Sequence, residues 1–307
     1  MYSRLIVSLL LGSVGFSSSS PVLENIHAGA ITGTKYIISF GDSYTQSGFD
    51  INGAKPSALN PFGNPEFPGW TTSGGINWLG HLCRTYNTSL TLAFNFAAGG
   101  ATVDANLVSS ITTISLVEQV SQFTSSLSSK PSYAPWTSDN TLFAVWMGVN
   151  DVGNTFGGNS NATETALLNK IVAQYQAMAQ KMYDSGGRNF AFLTVPPIQK
   201  SPTMLSQSAS SRATEADVIA AFNSLIAKMT ASFLASHTEA KAVVVDTVAV
   251  FDKLLANPTI YGAGQNGATC YNSDGKSCLW WNDYHPGLAI HKAVAEAVAG
   301  GFKGRFF

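Results

Sequence analysis

Ile37-Ile38-Ser39-Phe40-Gly41-Asp42-Ser43-Tyr44-Thr45-Gln46 is the stretch on which the fold of this chain turns. The run from Tyr36 to Phe40 lacks the polar alternation of a half-solvated strand. It therefore predicts a strand buried on both faces, as in a parallel sheet. Gly41 allows an abrupt turn that a residue with a Cβ would resist. Asp42 and Ser43 then fall where a helix is expected to begin, with free backbone N–H groups able to bond an anion. A buried strand that ends in this way delivers one hydroxyl to the top of a sheet. A plain strand-to-helix cap would read the same, so the rest of the chain has to decide.

Outward from this strand, apolar runs and helical stripes alternate. Helical spacing runs through Trp78, Leu79, Leu82 and Tyr86, and Thr91 to Ala97 predicts a second strand. Leu116, Val120, Phe123 and Leu127 mark a helix, and residues 141–146 a third strand. Leu168, Ile171, Val172, Tyr175, Met178, Ala179 and Met182 keep a helical period that Gly186-Gly187 stops. Phe190 to Val195 is the fourth strand, ended by Pro196-Pro197. Val218, Phe222, Leu225, Ile226, Met229 and Phe233 form the next helix, and residues 243–245 the fifth strand. Pro286 suits the first turn of a last helix. This order predicts a three-layer α/β/α sandwich around a central, mostly parallel five-stranded sheet.

With 307 residues the chain can bury a large core in one domain, and no linker-like shift of composition follows the N-terminus. Charged residues make up 11%, against about a quarter in average soluble domains, and the formal charge is −1. No basic run would neutralise a phosphate backbone, so nucleic acid is not an expected partner. A neutral surface rich in Ser, Thr, Asn and Gly is compatible with sugars.

Met1-Tyr2-Ser3-Arg4 is a short positive start, Leu5 to Phe16 an apolar core, and Ser17 to Ser20 offer small residues for cleavage. That is a secretory signal over residues 1–20, and its apolar run of about a dozen residues is too short to span a bilayer, which needs about twenty. Residues 21–307 then form one exported domain, and no later segment is expected to cross a membrane. An oxidising compartment favours a Cys270–Cys278 bridge, with Cys83 left as a buried small residue. Asn87-Thr88-Ser89 and Asn161-Ala162-Thr163 are glycan acceptor motifs.

Ligands of parallel sheets bind outside the carboxyl ends of the strands. After the first strand comes Ser43, after the second Gly99-Gly100, and after the third Gly148-Val149-Asn150-Asp151. The chain's end brings Asn282-Asp283-Tyr284-His285-Pro286. A hydroxyl, a glycine N–H, an amide donor and an imidazole at one edge are the inventory of acyl transfer. His27, His81, His237 and His291 follow no strand. No cluster of His, Asp and Glu has metal-ligand spacing, so neither a metal nor a cofactor is expected. No Gly-x-Ser-x-Gly occurs, which disfavours an α/β-hydrolase of the usual kind.

Gly41-Asp42-Ser43, Gly100 five residues after Asn95, Gly148-x-Asn150-Asp151 and His285-Pro286 resemble the four blocks of the GDSL/SGNH hydrolases, in order. The longer strings Phe40 to Thr45, Asn77-Trp78, Gly99 to Asp104 and Tyr284 to Gly287 are similar to the fungal acetylesterases of carbohydrate esterase family sixteen. The resemblance implies an SGNH, flavodoxin-like fold. It implies Ser43 as nucleophile and His285 as base. The oxyanion hole would be the Ser43 and Gly100 N–H groups with the Asn150 side chain. The substrate implied is an acetylated oligosaccharide of plant cell walls; separately, the protein is expected to be a monomer. A lipid-directed esterase, and a carbohydrate-binding relative without catalysis, are the alternatives.

The chain departs from the family where the triad acid, three residues before the histidine, is replaced by Asn282, with Asp283 one step later. In serine proteases an Asp-to-Asn change of this kind costs about 10⁴-fold in rate. Either Asp283 turns toward His285, or Asn282 or a backbone carbonyl orients the ring. Asp246 after the fifth strand is a third carboxylate, better suited to capping the following helix. Among the tryptophans flanking the expected site, Trp70 is the candidate platform for a sugar ring, whereas Trp146 reads as core.

Overall fold

The computed structural model describes residues 33–307; the expected signal segment, residues 1–20, lies outside the described residues. Five strands, β1 Lys35–Gly41, β2 Thr91–Asn95, β3 Thr141–Trp146, β4 Asn189–Leu193 and β5 Lys241–Val245, form one sheet in the order β2-β1-β3-β4-β5. All four pairings are parallel. Among the described residues eight α-helices accompany the sheet: α1 Trp78–Arg84, α2 Leu116–Ser126, α3 Val149–Thr155, α4 Asn161–Asp184, α5 Pro202–Leu205, α6 Ala209–Ser236, α7 Thr247–Ala256 and α8 Leu288–Gly301. This is the doubly wound, flavodoxin-like order that the alternating pattern implies. Its direction reverses at β1, whose neighbours are β2 and β3.

The strands are apolar because both faces are covered. Ile37, Ile38, Phe40, Phe143, Val145, Phe190 and Phe192 are all fully buried. The stripes of α2 and α4 point inward as their spacing requires, and Ser115 and Glu118 close a capping box at the start of α2. The Cys270–Cys278 disulfide is present and Cys83 is buried.

Two expectations need correction, and a third has a specific cause. No helix follows Ser43. Thr45 N–H and Gln46 N–H donate to the Asp42 carbonyl at 3.1 and 3.0 Å, and the turn stops there. The carbonyls that would continue a helix are already taken. Asn77 Nδ2 donates to Thr45 O (3.0 Å) and Gln46 O (3.2 Å), and Asn95 Nδ2 to Thr45 O (2.7 Å).

Gly41 resists a Cβ, as expected, and the cause is lack of space. It closes β1 as its last residue, and a Cβ there would meet Trp146 O at 2.6 Å. Lastly, α6 is long and apolar enough to cross a membrane by length and composition. It serves as a core helix instead, burying Val218, Phe222, Ile226, Met229 and Phe233 against α4 and β5.

Candidate active site

The register of β1 against its neighbours brings four loops to one edge. Ser39 pairs with Asn95 and Gly41 with Trp146. The chain after β1 therefore emerges beside both the Gly99-Gly100 loop and the start of α3. Gln119, buried in α2, clamps Gly41 from both sides, accepting from its N–H at 2.9 Å and donating to its carbonyl at 2.8 Å. Thr72 Oγ1 donates to the Ser43 carbonyl at 2.7 Å. Asp42 is buried, and its Oδ1 accepts the Tyr44 N–H at 2.9 Å. Burial pushes the Asp42 carboxyl up to about 7, against the lowering effect of that N–H. It shapes the turn under Ser43, and among the described residues it makes no hydrogen bond to a histidine.

His285 Nε2 lies 2.7 Å from Ser43 Oγ, and His285 Nδ1 lies 3.0 Å from Asn282 Oδ1. The same amide oxygen accepts the backbone N–H groups of Tyr284 (3.0 Å) and His285 (2.6 Å). Two backbone donors can face only an oxygen, so the orientation of the Asn282 amide is fixed by elementary hydrogen-bond chemistry. The third partner of that oxygen, Nδ1, must then carry its proton. Nε2 is left with the lone pair that faces the Ser43 hydroxyl. Burial holds His285 down at about 4, against the opposing charge of Asp283, so the ring is neutral over the physiological range.

Asp283 turns elsewhere. Its Oδ2 accepts from Thr203 Oγ1 at 3.2 Å and its carbonyl from Thr203 N–H at 2.8 Å, tying the histidine loop to α5. Asp246 caps α7 through the Ala249 N–H at 3.1 Å.

Gly100 has φ +77°, a conformation that favours glycine, and a Cβ there would also displace the exposed Ile111 side chain. Among the described residues no backbone carbonyl accepts from the Ser43 or Gly100 N–H. Asn150, in the first turn of α3, donates from Nδ2 to Ala101 O at 2.9 Å, which holds its amide against the Gly100 loop with one proton to spare. Its neighbour Asp151 is buried and accepts Val103 N–H with both oxygens, at 3.1 and 3.2 Å. These bonds lock α3 to the loop after β2.

Trp70 is 72% exposed, and its ring lies against Gly48. Trp78, Trp146 and Trp280 are core. Trp281 stands edge-on to His285 with ring centroids 6.2 Å apart, so an aromatic wall next to the imidazole comes from the histidine's own loop. Of the glycan acceptors, Asn161 is exposed at the start of α4, and Asn87 is half-buried with Nδ2 donating to Ser89 O at 3.0 Å.

The residues that sequence reading passes over are the supports. Gln119 sits inside an apolar helix stripe, and a lone amide in such a stripe is the signal that could have marked it. His291 is buried in α8 and accepts the Trp78 N–H at 3.3 Å, and Tyr44 Oη donates to Tyr284 O at 2.5 Å. Both bonds join the end of the chain to the region after β1.

A family profile described as GDSL-like Lipase/Acylhydrolase matches residues 37–298. An acetylesterase of Thermothelomyces thermophilus is 49% identical over 277 residues, covering 89% of this chain and 90% of the relative. An acetylesterase of Hypocrea jecorina is 26% identical over 54% of this chain and 49% of the relative. The solved structure of a catalytic mutant of an acetylxylan esterase from Geobacillus stearothermophilus has the same fold. It superposes with a TM-score of 0.52 at 15% identity, over 87% of this chain and 93% of that chain. The profile spans every block around Ser43, Gly100, Asn150 and His285, and the first relative matches at nearly half of all positions over almost its full length. The chain belongs to the GDSL-like lipase/acylhydrolase family.

Proposed function

We propose that this chain is a secreted serine esterase that removes acetyl groups from short, partly deacetylated saccharides of plant cell walls. The line Ser43 Oγ–His285–Asn282, with hydrogen-bond distances of 2.7 and 3.0 Å, is the observation that carries the reading. Ser43 Oγ attacks the ester carbonyl carbon while His285 Nε2 takes its proton. The Ser43 and Gly100 N–H groups and the free Asn150 amide proton receive the developing oxyanion. The tetrahedral intermediate collapses as its bond to the sugar oxygen breaks, and that oxygen takes the proton from Nε2 and leaves as the alcohol. A water molecule then repeats the sequence on the acetyl-serine and releases acetate.

The acetyl preference is supported by the acetylesterases to which the chain is similar. Secretion is supported by the Cys270–Cys278 bridge and by the short basic start and apolar run at the N-terminus. Asn87 and Asn161 are proposed glycan sites. An acyl series tests the substrate reading against a lipid-directed esterase. Turnover of acetyl, butyryl and octanoyl esters is expected to fall with chain length, with acetylated xylo-oligosaccharides deacetylated alongside. Fastest turnover of the octanoyl ester would contradict it.

A further inference from the structure

Glu215 is a carboxyl to which the acyl-transfer sequence gives no role. It lies in the first half of α6, is 1% exposed, and its Oε2 is buried with no hydrogen-bond partner. Buried carboxylates are ordinarily paired, because an unpaired one forfeits its hydration for nothing. Glu215 also lines a cavity of about 390 Å³ that begins at Gly100 and Asn150 and is walled by Phe156, Met204 and Tyr284. That volume is within the usual range for a small-molecule site, which is about 300–1,000 Å³. The cavity is thus continuous with the proposed oxyanion donors; Asn154 and Thr203 also line it, and Glu215 adds a buried carboxyl oxygen that has no partner.

The electrostatics agree with this placement. Burial pushes the Glu215 carboxyl up to about 7. Burial first, and then the charge of Glu215, push the Tyr284 phenol up, so the carboxyl acts on the residue immediately before His285.

We propose that Glu215 is a specificity residue that accepts a hydrogen bond from a free hydroxyl of the substrate's alcohol portion, next to the ester being cleaved. This rests on the saccharide reading of the site. A site built around a hydrogen bond to a substrate hydroxyl rejects analogues that lack it, because the buried acceptor then stays unpaired. Glu215 would in this way favour partly deacetylated sugars over fully acetylated ones. An apolar cavity without such an acceptor would favour the reverse.

The test compares three esters: 4-nitrophenyl acetate, a mono-acetylated xylo-oligosaccharide with its neighbouring hydroxyl free, and the peracetylated form of the same sugar. Glu215→Leu keeps the volume and removes the acceptor. It is expected to lose about 10- to 100-fold in kcat/KM on the mono-acetylated sugar, the range for a hydrogen bond to a charged group. It should stay within about 3-fold on the other two esters. Glu215→Gln retains one carbonyl oxygen and should lose less, with the same selectivity. Neither variant should have a lower Tm, because an unpaired buried carboxyl stabilises nothing. A uniform loss on all three esters with a lower Tm would make Glu215 structural, and no loss on any would leave it without a role; either overturns the proposal. Wild-type enzyme inactive on the mono-acetylated sugar would overturn the saccharide reading, and the role of Glu215 with it. Wild-type activity there with an indifferent Glu215→Leu would overturn the role of Glu215 alone.

Discussion

Replacing Ser43 with alanine is expected to lower kcat/KM on acetyl esters by about 10⁴- to 10⁶-fold, or about 5–8 kcal/mol at 1.36 per decade. The size of the loss reflects the part the hydroxyl plays in the proposed sequence. It forms the bond that makes the acyl-enzyme, and among the described residues no other nucleophile shares the hydrogen bond of His285 Nε2. The fold should not suffer, because Ser43 sits in a turn held by its neighbours. Gly41 is gripped by Gln119, the Ser43 carbonyl by Thr72 and the Tyr44 N–H by Asp42. Unchanged Tm with only the residual activity that substrate binding and the oxyanion donors can supply is therefore the expected pair of results. A variant retaining a tenth of wild-type activity would remove Ser43 from the mechanism.

The second large effect concerns Asn282. Asn282→Ala is expected to cost about 10²- to 10³-fold in kcat/KM, within the range for a mispositioned general base, while Asp283→Ala stays within about 3-fold. The amide that matters is the one whose oxygen holds His285 Nδ1 at 3.0 Å, whereas the Asp283 carboxylate is spent on Thr203. An asparagine does not carry here the full penalty it carries in a serine protease. In this chain the Tyr284 and His285 N–H groups face the Asn282 oxygen, so the amide accepts from the ring and keeps the tautomer that catalysis needs.

What the amide cannot do is stabilise the imidazolium by charge, and the pH profile should record this. His285 is held at about 4, so its neutral, active form is lost only as the pH falls through that value. Asn282→Asp would place a carboxylate against the ring, favour the protonated form, and raise the acid limb of kcat/KM by about 1–3 pH units. A larger loss from Asp283→Ala than from Asn282→Ala would assign the ring to the wrong partner. An acid limb unmoved by Asn282→Asp would contradict the contact itself.

The fold was legible because its signals are local. Apolar runs without alternation mark strands buried on both faces, and glycine or proline marks the ends of the first four, at Gly41, Gly99, Gly148 and Pro196. The residues just past the strand ends, with the histidine near the chain's end, then put Ser43, Gly100, Asn150 and His285 at one edge with no knowledge of the sheet order. The turn after Ser43 was misread because its outcome is not local. The Thr45 and Gln46 carbonyls are captured by Asn77 and Asn95, which no propensity over residues 41–50 can register. The choice between Asn282 and Asp283 was equally closed to sequence. It depends on which way the two side chains leave one short loop, and that is set by two backbone N–H groups on one side and Thr203 on the other. Gln119 and Glu215 sit on helix faces that otherwise read as core, where one polar residue in an apolar stripe is easily passed over.

Covalent labelling tests the central claim most directly. Wild-type protein treated with a fluorophosphonate should carry a single adduct, located by peptide mass spectrometry on Ser43. Labelling should slow by orders of magnitude in His285→Ala and disappear in Ser43→Ala. An adduct on another residue, or none from protein that still hydrolyses acetyl esters, would contradict Ser43 as the nucleophile.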